Sequence, residues 1–221
     1  MRKEERVKII LEEINRLFPD AECELNHKNP FELLIAVVLS AQTTDVSVNK
    51  ITPALFEKYP TPELLGNADI KDIENLIKRI GLYRNKAKNI KALSMELVHL
   101  YNGEVPNNRK ALEALPGVGR KTTNVVLSVA FHHPALAVDT HVERVSKRLK
   151  LAKMNDSVLN VEKKLCRAIP RERWNKTHHQ FIFFGRYFCK ATNPNCQECQ
   201  LFELCQDSIK YLKRKEDITI E

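Results

Sequence analysis

Apolar residues recur at intervals of three and four along most of this chain, which is the spacing of one face of an α-helix. Comparable stripes predict helices over residues 31–41, 45–59, 70–80, 86–100, 118–131, 140–151, 158–168 and 174–188. The first stripe, near the N-terminus, consists of Val7, Ile10, Leu11, Ile14, Leu17 and Phe18. No segment keeps the strict alternation of a half-buried strand. The pattern therefore predicts an all-α protein of roughly ten helices.

Residues at the ends of these stripes predict where some helices begin and end. Pro30 fits the first helical position, where a missing N–H costs nothing. Asp45 is suited to cap the helix that follows it. Gly81 and the pair Asn102-Gly103 are suited to end helices, because both residue types tolerate the left-handed conformation.

The composition indicates a basic protein that binds a polyanion. The 221 residues carry a formal net charge of +8, and the pI is about 9.2. Nucleic acid is the commonest soluble polyanion, and an acidic protein or a membrane surface is the alternative. No stretch reaches the length of a membrane span, and the N-terminus does not resemble a secretory signal. We therefore expect a cytoplasmic protein.

A glycine turn is the most informative local feature, since residues 115–122 run Leu-Pro-Gly-Val-Gly-Arg-Lys-Thr ahead of an apolar helical stripe. The first N–H groups of a helix lack intrahelical partners and lie at the positive end of its dipole. The two glycines let another backbone approach closely. Such a turn suits a phosphate oxygen.

Lys121 and Asp139 form a candidate catalytic pair. A lysine amine is a nucleophile once it loses its proton, and a carboxylate can accept that proton or stabilise developing positive charge. Asp139 lies in the segment Val-Asp-Thr-His. Three other interpretations stay open at this point: Lys121 is a solvated side chain, Asp139 only caps a helix, or the two form a salt bridge.

Four cysteines near the C-terminus predict a metal centre. Their spacing is C-x6-C-x2-C-x5-C, and they are Cys189, Cys196, Cys199 and Cys205. Four thiolate ligands in so short a segment can hold either zinc or a cubane iron–sulfur cluster. The presence of a single C-x2-C pair favours the iron–sulfur cluster. The remaining two, Cys23 and Cys166, are expected to be buried or half-buried small side chains.

Together these motifs resemble the endonuclease III family of DNA glycosylases, within the helix-hairpin-helix superfamily. The resemblance is carried by residues 33–45, 80–83, 115–122 and 138–142 and by the four cysteines, in that order. It implies a two-lobed all-α fold with a [4Fe–4S] cluster in the loop 189–205. One domain would be a six-helix barrel over residues 22–132, ending in the hairpin. The other would join residues 1–21 to residues 133–221.

The resemblance also implies a function and a set of site residues. The protein would be a bifunctional DNA glycosylase and abasic-site lyase acting on oxidised or ring-saturated pyrimidines in double-stranded DNA, and we expect a monomer. Lys121 would be the nucleophile and Asp139 its activator. Gln42 and Leu82 would fill the gap left by the extruded base. The remaining DNA contacts would be Gly117, Val118, Gly119, Arg120, His141, Arg144 and Lys147.

Two other functions compete with this interpretation. An adenine-specific mismatch glycosylase shares the barrel and the cluster, but there the hairpin lysine is generally replaced and a further C-terminal domain follows. A non-catalytic DNA-binding module would keep the hairpin and the cluster for shape recognition. The presence of Lys121 argues against the mismatch enzyme, and the presence of both Lys121 and Asp139 argues against the binding module, because pure binding needs neither.

Overall fold

The computed structural model describes residues 1–207, and within that range it contains α-helices and no strand. The predicted all-α class is confirmed. The helices are α1 (Lys3–Leu17), α2 (Pro30–Leu39), α3 (Asp45–Lys58), α4 (Pro62–Asn67), α5 (Ile70–Ile77), α6 (Tyr83–Tyr101), α7 (Arg109–Ala114), α8 (Arg120–Phe131), α9 (Thr140–Arg148), α10 (Val158–Ala168) and α11 (Trp174–Phe183). None of these helices is both long and apolar enough to cross a bilayer.

Local capping explains where the central helices start. In α2 the Asn29 side chain accepts a hydrogen bond from the N–H of Glu32, and Pro30 occupies the first turn as predicted. The residues of α2 that follow are all buried, as their continuous apolar run predicts. The expected capping role of Asp45 is wrong, because Thr44 caps α3 and Asp45 is the first helical residue. A hydroxyl one position earlier reaches the N–H of Ser47.

Several helix ends differ from the sequence prediction. Helix α5 ends at Ile77, so Gly81 is not its C-cap. Helix α8 begins at Arg120 because residues 115–118 form a turn closed by the N–H of Val118 on the carbonyl of Leu115. The helix predicted over 174–188 changes at Phe184 into a π-helical turn that ends at Phe188. Helices α4 and α7 were not predicted, since six residues are too few to show a periodic stripe.

The chain divides into two compact units. One spans Cys23–Ala135 and contains α2 to α8. The other joins Met1–Glu22 to the described residues from Leu136 onwards and contains α1 and α9 to α11. The core of this second unit includes Ile10 and Ile14 of α1 together with Phe181 and Phe184. From the sequence we expected the first division at residue 22 and the second at residue 132.

Candidate active site and DNA-contacting residues

The glycine turn before α8 presents unpaired backbone N–H groups. The N–H groups of Gly117 and Gly119 have no acceptor among residues 1–207. Val118 differs, because it is buried and its N–H donates to the carbonyl of Leu115 at 3.1 Å. Gly119 is the N-cap of α8, so the first-turn N–H groups of the helix lie immediately beyond it. This arrangement suits an anion that approaches the helix end.

Lys121 lies in the first turn of α8 with an exposed side chain. Within the described part of the chain its ammonium makes no hydrogen bond and no ion pair. Arg120, the first residue of the helix, is also exposed. Both cations lie at the positive end of the helix dipole, where positive charge is disfavoured and an anion is favoured. An amine at this position is accessible from solvent and has no partner to displace among residues 1–207.

Asp139 caps α9 and keeps half of its carboxylate available. Its Oδ1 accepts hydrogen bonds from the N–H groups of His141 and Val142, each at 2.8 Å. Its Oδ2 accepts no hydrogen bond from any residue in the described range. The capping interpretation is therefore correct, and it leaves one oxygen free for chemistry. Lys121 and Asp139 belong to different units.

Gln42 and Leu82 share an unusual backbone conformation. Both are exposed, and their φ angles are +55° and +57°. The left-handed region costs a residue other than glycine about 1–2 kcal/mol, and residues held there often serve function. Leu82 is 58% exposed at the start of α6, although it is apolar. The side-chain amide of Gln42 has no hydrogen-bond partner among residues 1–207.

The three predicted contacts on α9 face other parts of their own unit. Arg144 donates from Nη2 to the carbonyls of Gly185 at 2.6 Å and Cys189 at 3.2 Å. Lys147 forms an ion pair with Glu143, with Nζ and Oε1 2.5 Å apart. His141 packs so closely on Gly185 that a Cβ there would lie 2.9 Å from the Cβ of His141.

The four cysteines of the C-terminal loop influence one another electrostatically. The pKa of the Cys199 thiol is raised to about 11, chiefly by burial and to a smaller extent by the neighbouring Cys189, Cys196 and Cys205. Donors lie close to two of the sulfurs: Nη1 of Arg148 lies 3.3 Å from Sγ of Cys189, and the N–H of Asp207 lies 3.4 Å from Sγ of Cys205. No group of three or more His, Cys, Asp or Glu side chains in residues 1–207 is arranged to hold a single metal ion.

Sequence reasoning missed Arg148, which makes several hydrogen bonds to the cysteine loop. Its guanidinium is buried, donates to the carbonyls of Cys189, Lys190 and Ala191, and pairs with Asp207 at 3.5 Å. An arginine in the last turn of a helix is usually solvated, so the sequence offered no clear signal.

Comparisons with known proteins agree on one family. The model of the HhH-GPD superfamily base excision DNA repair proteins matches residues 35–171. Endonuclease III of Bacillus subtilis is 56% identical over 209 residues, covering 95% of each chain. A trapped endonuclease III–DNA covalent intermediate, an estranged-adenine complex, is 57% identical with a TM-score of 0.93, covering 96% of this chain and 100% of that one. A non-covalent endonuclease III–DNA complex is 56% identical with a TM-score of 0.94, with the same coverage of both chains.

Proposed function

The chain belongs to the endonuclease III family of the HhH-GPD superfamily, and on that premise we propose that it is a bifunctional DNA glycosylase and abasic-site lyase of base excision repair. Its substrate is double-stranded DNA carrying oxidised or ring-saturated pyrimidines, or abasic sites. One observation carries the proposal: Lys121 has an exposed amine, unpaired within residues 1–207, directly after a turn with open N–H groups. A chain 57% identical to this one has been trapped covalently on DNA.

The amine of Lys121 attacks C1′ of the damaged nucleotide after losing its proton. The bond from C1′ to the base breaks, and the base leaves with the electron pair and takes up a proton. The lone pair of the attached nitrogen then breaks the C1′–O4′ bond, O4′ takes up a proton, and the opened sugar and the amine are joined as an imine. The imine acidifies the proton on C2′, and loss of that proton expels the 3′ phosphate and nicks the strand. The free Oδ2 of Asp139 accepts the proton of the amine or stabilises positive charge on the sugar, while Oδ1 holds the cap.

Gln42 and Leu82 take the space of the extruded base. Chemistry at C1′ needs the damaged base outside the stack, so the gap in the duplex must be filled. Leu82 is an exposed apolar side chain that can enter between base steps, as apolar wedges do. The unbound amide of Gln42 can donate to and accept from the orphaned partner base.

The turn at Gly117 and Gly119 binds a phosphate of the damaged strand through its open N–H groups, with Arg120 and the dipole of α8 adding to the attraction. Val118 is not one of these phosphate donors, because it is buried and its N–H donates to the carbonyl of Leu115. Lys147 forms an ion pair with Glu143, and Arg144 donates hydrogen bonds to the carbonyls of Gly185 and Cys189. A contact of either side chain with DNA would compete with these partners. His141 is half-buried, and its Nδ1 lies 3.3 Å from Nη2 of Arg144.

Cys189, Cys196, Cys199 and Cys205 would hold a [4Fe–4S] cluster in the cysteine loop. Two features of the loop fit the group: the four thiols share one electrostatic neighbourhood, and Arg148 supplies a cation to the sulfur of Cys189. A cationic donor and a backbone N–H both stabilise thiolates. A bound cluster would cross-link this loop. Because the substrate is DNA, we expect the enzyme to be associated with the nucleoid.

Reductive trapping tests this function. The wild-type protein, incubated with abasic-site duplex and borohydride, should yield a covalent protein–DNA adduct. Lys121→Gln should bind the duplex and yield no adduct. Lys110→Gln, which changes an exposed lysine of α7, is the matched control and should be trapped normally. Normal trapping of Lys121→Gln would refute the nucleophile. A mismatch glycosylase that uses water, or a binding module, would give no adduct with the wild type.

A further inference from the structure

Lys86 is a buried lysine for which the proposed chemistry has no use. It is 5% exposed in the first turn of α6, and its Nζ donates to Oγ1 of Thr43 at 2.7 Å. Within residues 1–207 this is its only side-chain partner, and no carboxylate neutralises the ammonium. Burial lowers the pKa of the Lys86 amine. Burying a charge without a neutralising partner lowers the stability of the folded protein.

Packing alone does not account for Lys86. Its position continues the apolar stripe of α6 that runs through Ile90, Leu93 and Leu97, all of them fully buried. A methionine or leucine would fill that position without burying a charge. The ammonium is therefore the feature to explain, rather than the aliphatic part of the side chain.

The hydrogen bonds of Lys86 connect two turns. Thr43 follows Gln42, and its N–H closes the turn on the carbonyl of Ser40 at 3.0 Å. The N–H of Lys86 donates to the carbonyl of Leu82 at 3.0 Å. One residue thus contacts both the turn that carries Gln42 and the turn that carries Leu82.

We propose that Lys86 is a positioning residue that fixes the Gln42 turn against the start of α6, so that Gln42 and Leu82 enter one opened base pair together. This inference rests on the proposed function, which assigns those two side chains to the gap in the duplex. Each turn holds a residue in a disfavoured left-handed conformation, so an untethered turn would populate other conformations. Ordering that turn on DNA would then make binding less favourable. The hydrogen bond from Lys86 to Thr43 orders the turn before DNA binds and so removes this cost.

The tether is tested first without DNA. Lys86→Met removes the donor, and Thr43→Val removes the acceptor while keeping the shape of the side chain. Amide hydrogen exchange of residues 40–45 should become faster in both variants. Lys88→Met is the matched control, since it removes the same charge from an exposed position two residues along the same helix. Unchanged exchange in both test variants overturns the inference, as does an equal change in Lys88→Met.

The second test measures single-turnover nicking of two abasic-site duplexes. In one the site faces adenine, and in the other it faces a one-nucleotide gap, so no orphaned base is left for Gln42. Losing a hydrogen bond to a charged group corresponds to a rate loss of about tenfold. Lys86→Met and Thr43→Val should each lose about that factor with adenine opposite and much less with the gap. No loss with adenine, or an equal loss on both duplexes, contradicts positioning.

Double substitution separates this inference from the proposed function. If Lys86 acts through Thr43, the double variant should be no slower than the slower single variant. Gln42→Ala and Leu82→Ala are measured beside it on the adenine duplex. If these two nick at the wild-type rate, their assigned role fails, whatever Lys86 does. If they are slow and Lys86→Met is not, only the positioning role fails.

Discussion

A Cβ added to Gly117 would lie 2.9 Å from the Cβ of Asn89, so the glycine turn packs directly on α6. Gly117 also has a φ of +76°, which other residues rarely adopt. Gly119 differs on both counts, because its φ is −104° and a Cβ there would have no neighbour within 4 Å among the described residues. The fold therefore requires the first glycine, and the space beside the second is left open.

Alanine at these two positions should have opposite effects. Gly117→Ala combines left-handed strain with a close contact and should lower the free energy of unfolding by about 2 kcal/mol or more. Gly119→Ala should cost at most about 1 kcal/mol, yet weaken binding to an abasic-site duplex by roughly tenfold, because the methyl group obstructs the open N–H groups. Denaturant unfolding and fluorescence anisotropy measure the two quantities. A stable Gly117→Ala variant, or full affinity in Gly119→Ala, would contradict this division.

The two oxygens of Asp139 predict different results for two substitutions. Asp139→Asn keeps an oxygen that can cap α9, so stability should change little, while nicking should fall by a factor of about 100 or more without the carboxylate. Asp139→Ala should lose nicking to the same extent and also about 1 kcal/mol of stability. The measurements are thermal unfolding and single-turnover rates. Equal stability of the two variants would mean that the cap contributes nothing.

Burial of Lys86 predicts a pH-dependent stability. The pKa of its amine is lowered in the folded protein, so between the folded and unfolded values the unfolded chain binds more protons. Stability should therefore rise as the pH increases through the lowered folded pKa towards about 10, the ordinary lysine pKa. Lys86→Met lacks this contribution and should be at least as stable as the wild type at pH 7, with a margin that shrinks at higher pH. Melting temperatures at several pH values measure it; a growing margin would contradict the sign.

Arg148 should hold the cysteine loop. Arg148→Met leaves carbonyl oxygens of Cys189, Lys190 and Ala191 without their donor and should destabilise the protein by about 3 kcal/mol. Iron bound to the loop should be lost faster to a chelator. Arg167→Met, at an exposed position of α10, is the control and should behave as the wild type. Equal rates of iron loss in the two variants would exclude the role of Arg148, and zinc without iron in the purified protein would exclude the iron–sulfur cluster.

Periodicity predicted the long helices well because most of them bury one face, while α2 showed itself as a continuous apolar run. The sequence did not determine exact helix ends, since these depend on which nearby side chain reaches an N–H, as Thr44 does in place of Asp45. The six-residue helices α4 and α7 show no stripe and could be found only from their caps, Thr61 and Asn108.

The motifs indicated Lys121, Asp139 and the cysteines from residue type and order. What the sequence could not give was how each side chain is used in the folded protein. Arg144 looked like an exposed cation, yet it donates to the carbonyls of Gly185 and Cys189. Lys86 did leave a signal, because a charge interrupts an apolar stripe there, but its partner Thr43 is 43 residues away and appears only in the fold.

The location of the covalent bond tests the central claim most directly. Wild-type protein trapped on abasic-site duplex with borohydride can be digested and its modified peptide sequenced by mass spectrometry. The account predicts a reduced sugar adduct on Nζ of Lys121. An adduct on another lysine or on the N-terminal amine, with Lys121 unmodified, would contradict it.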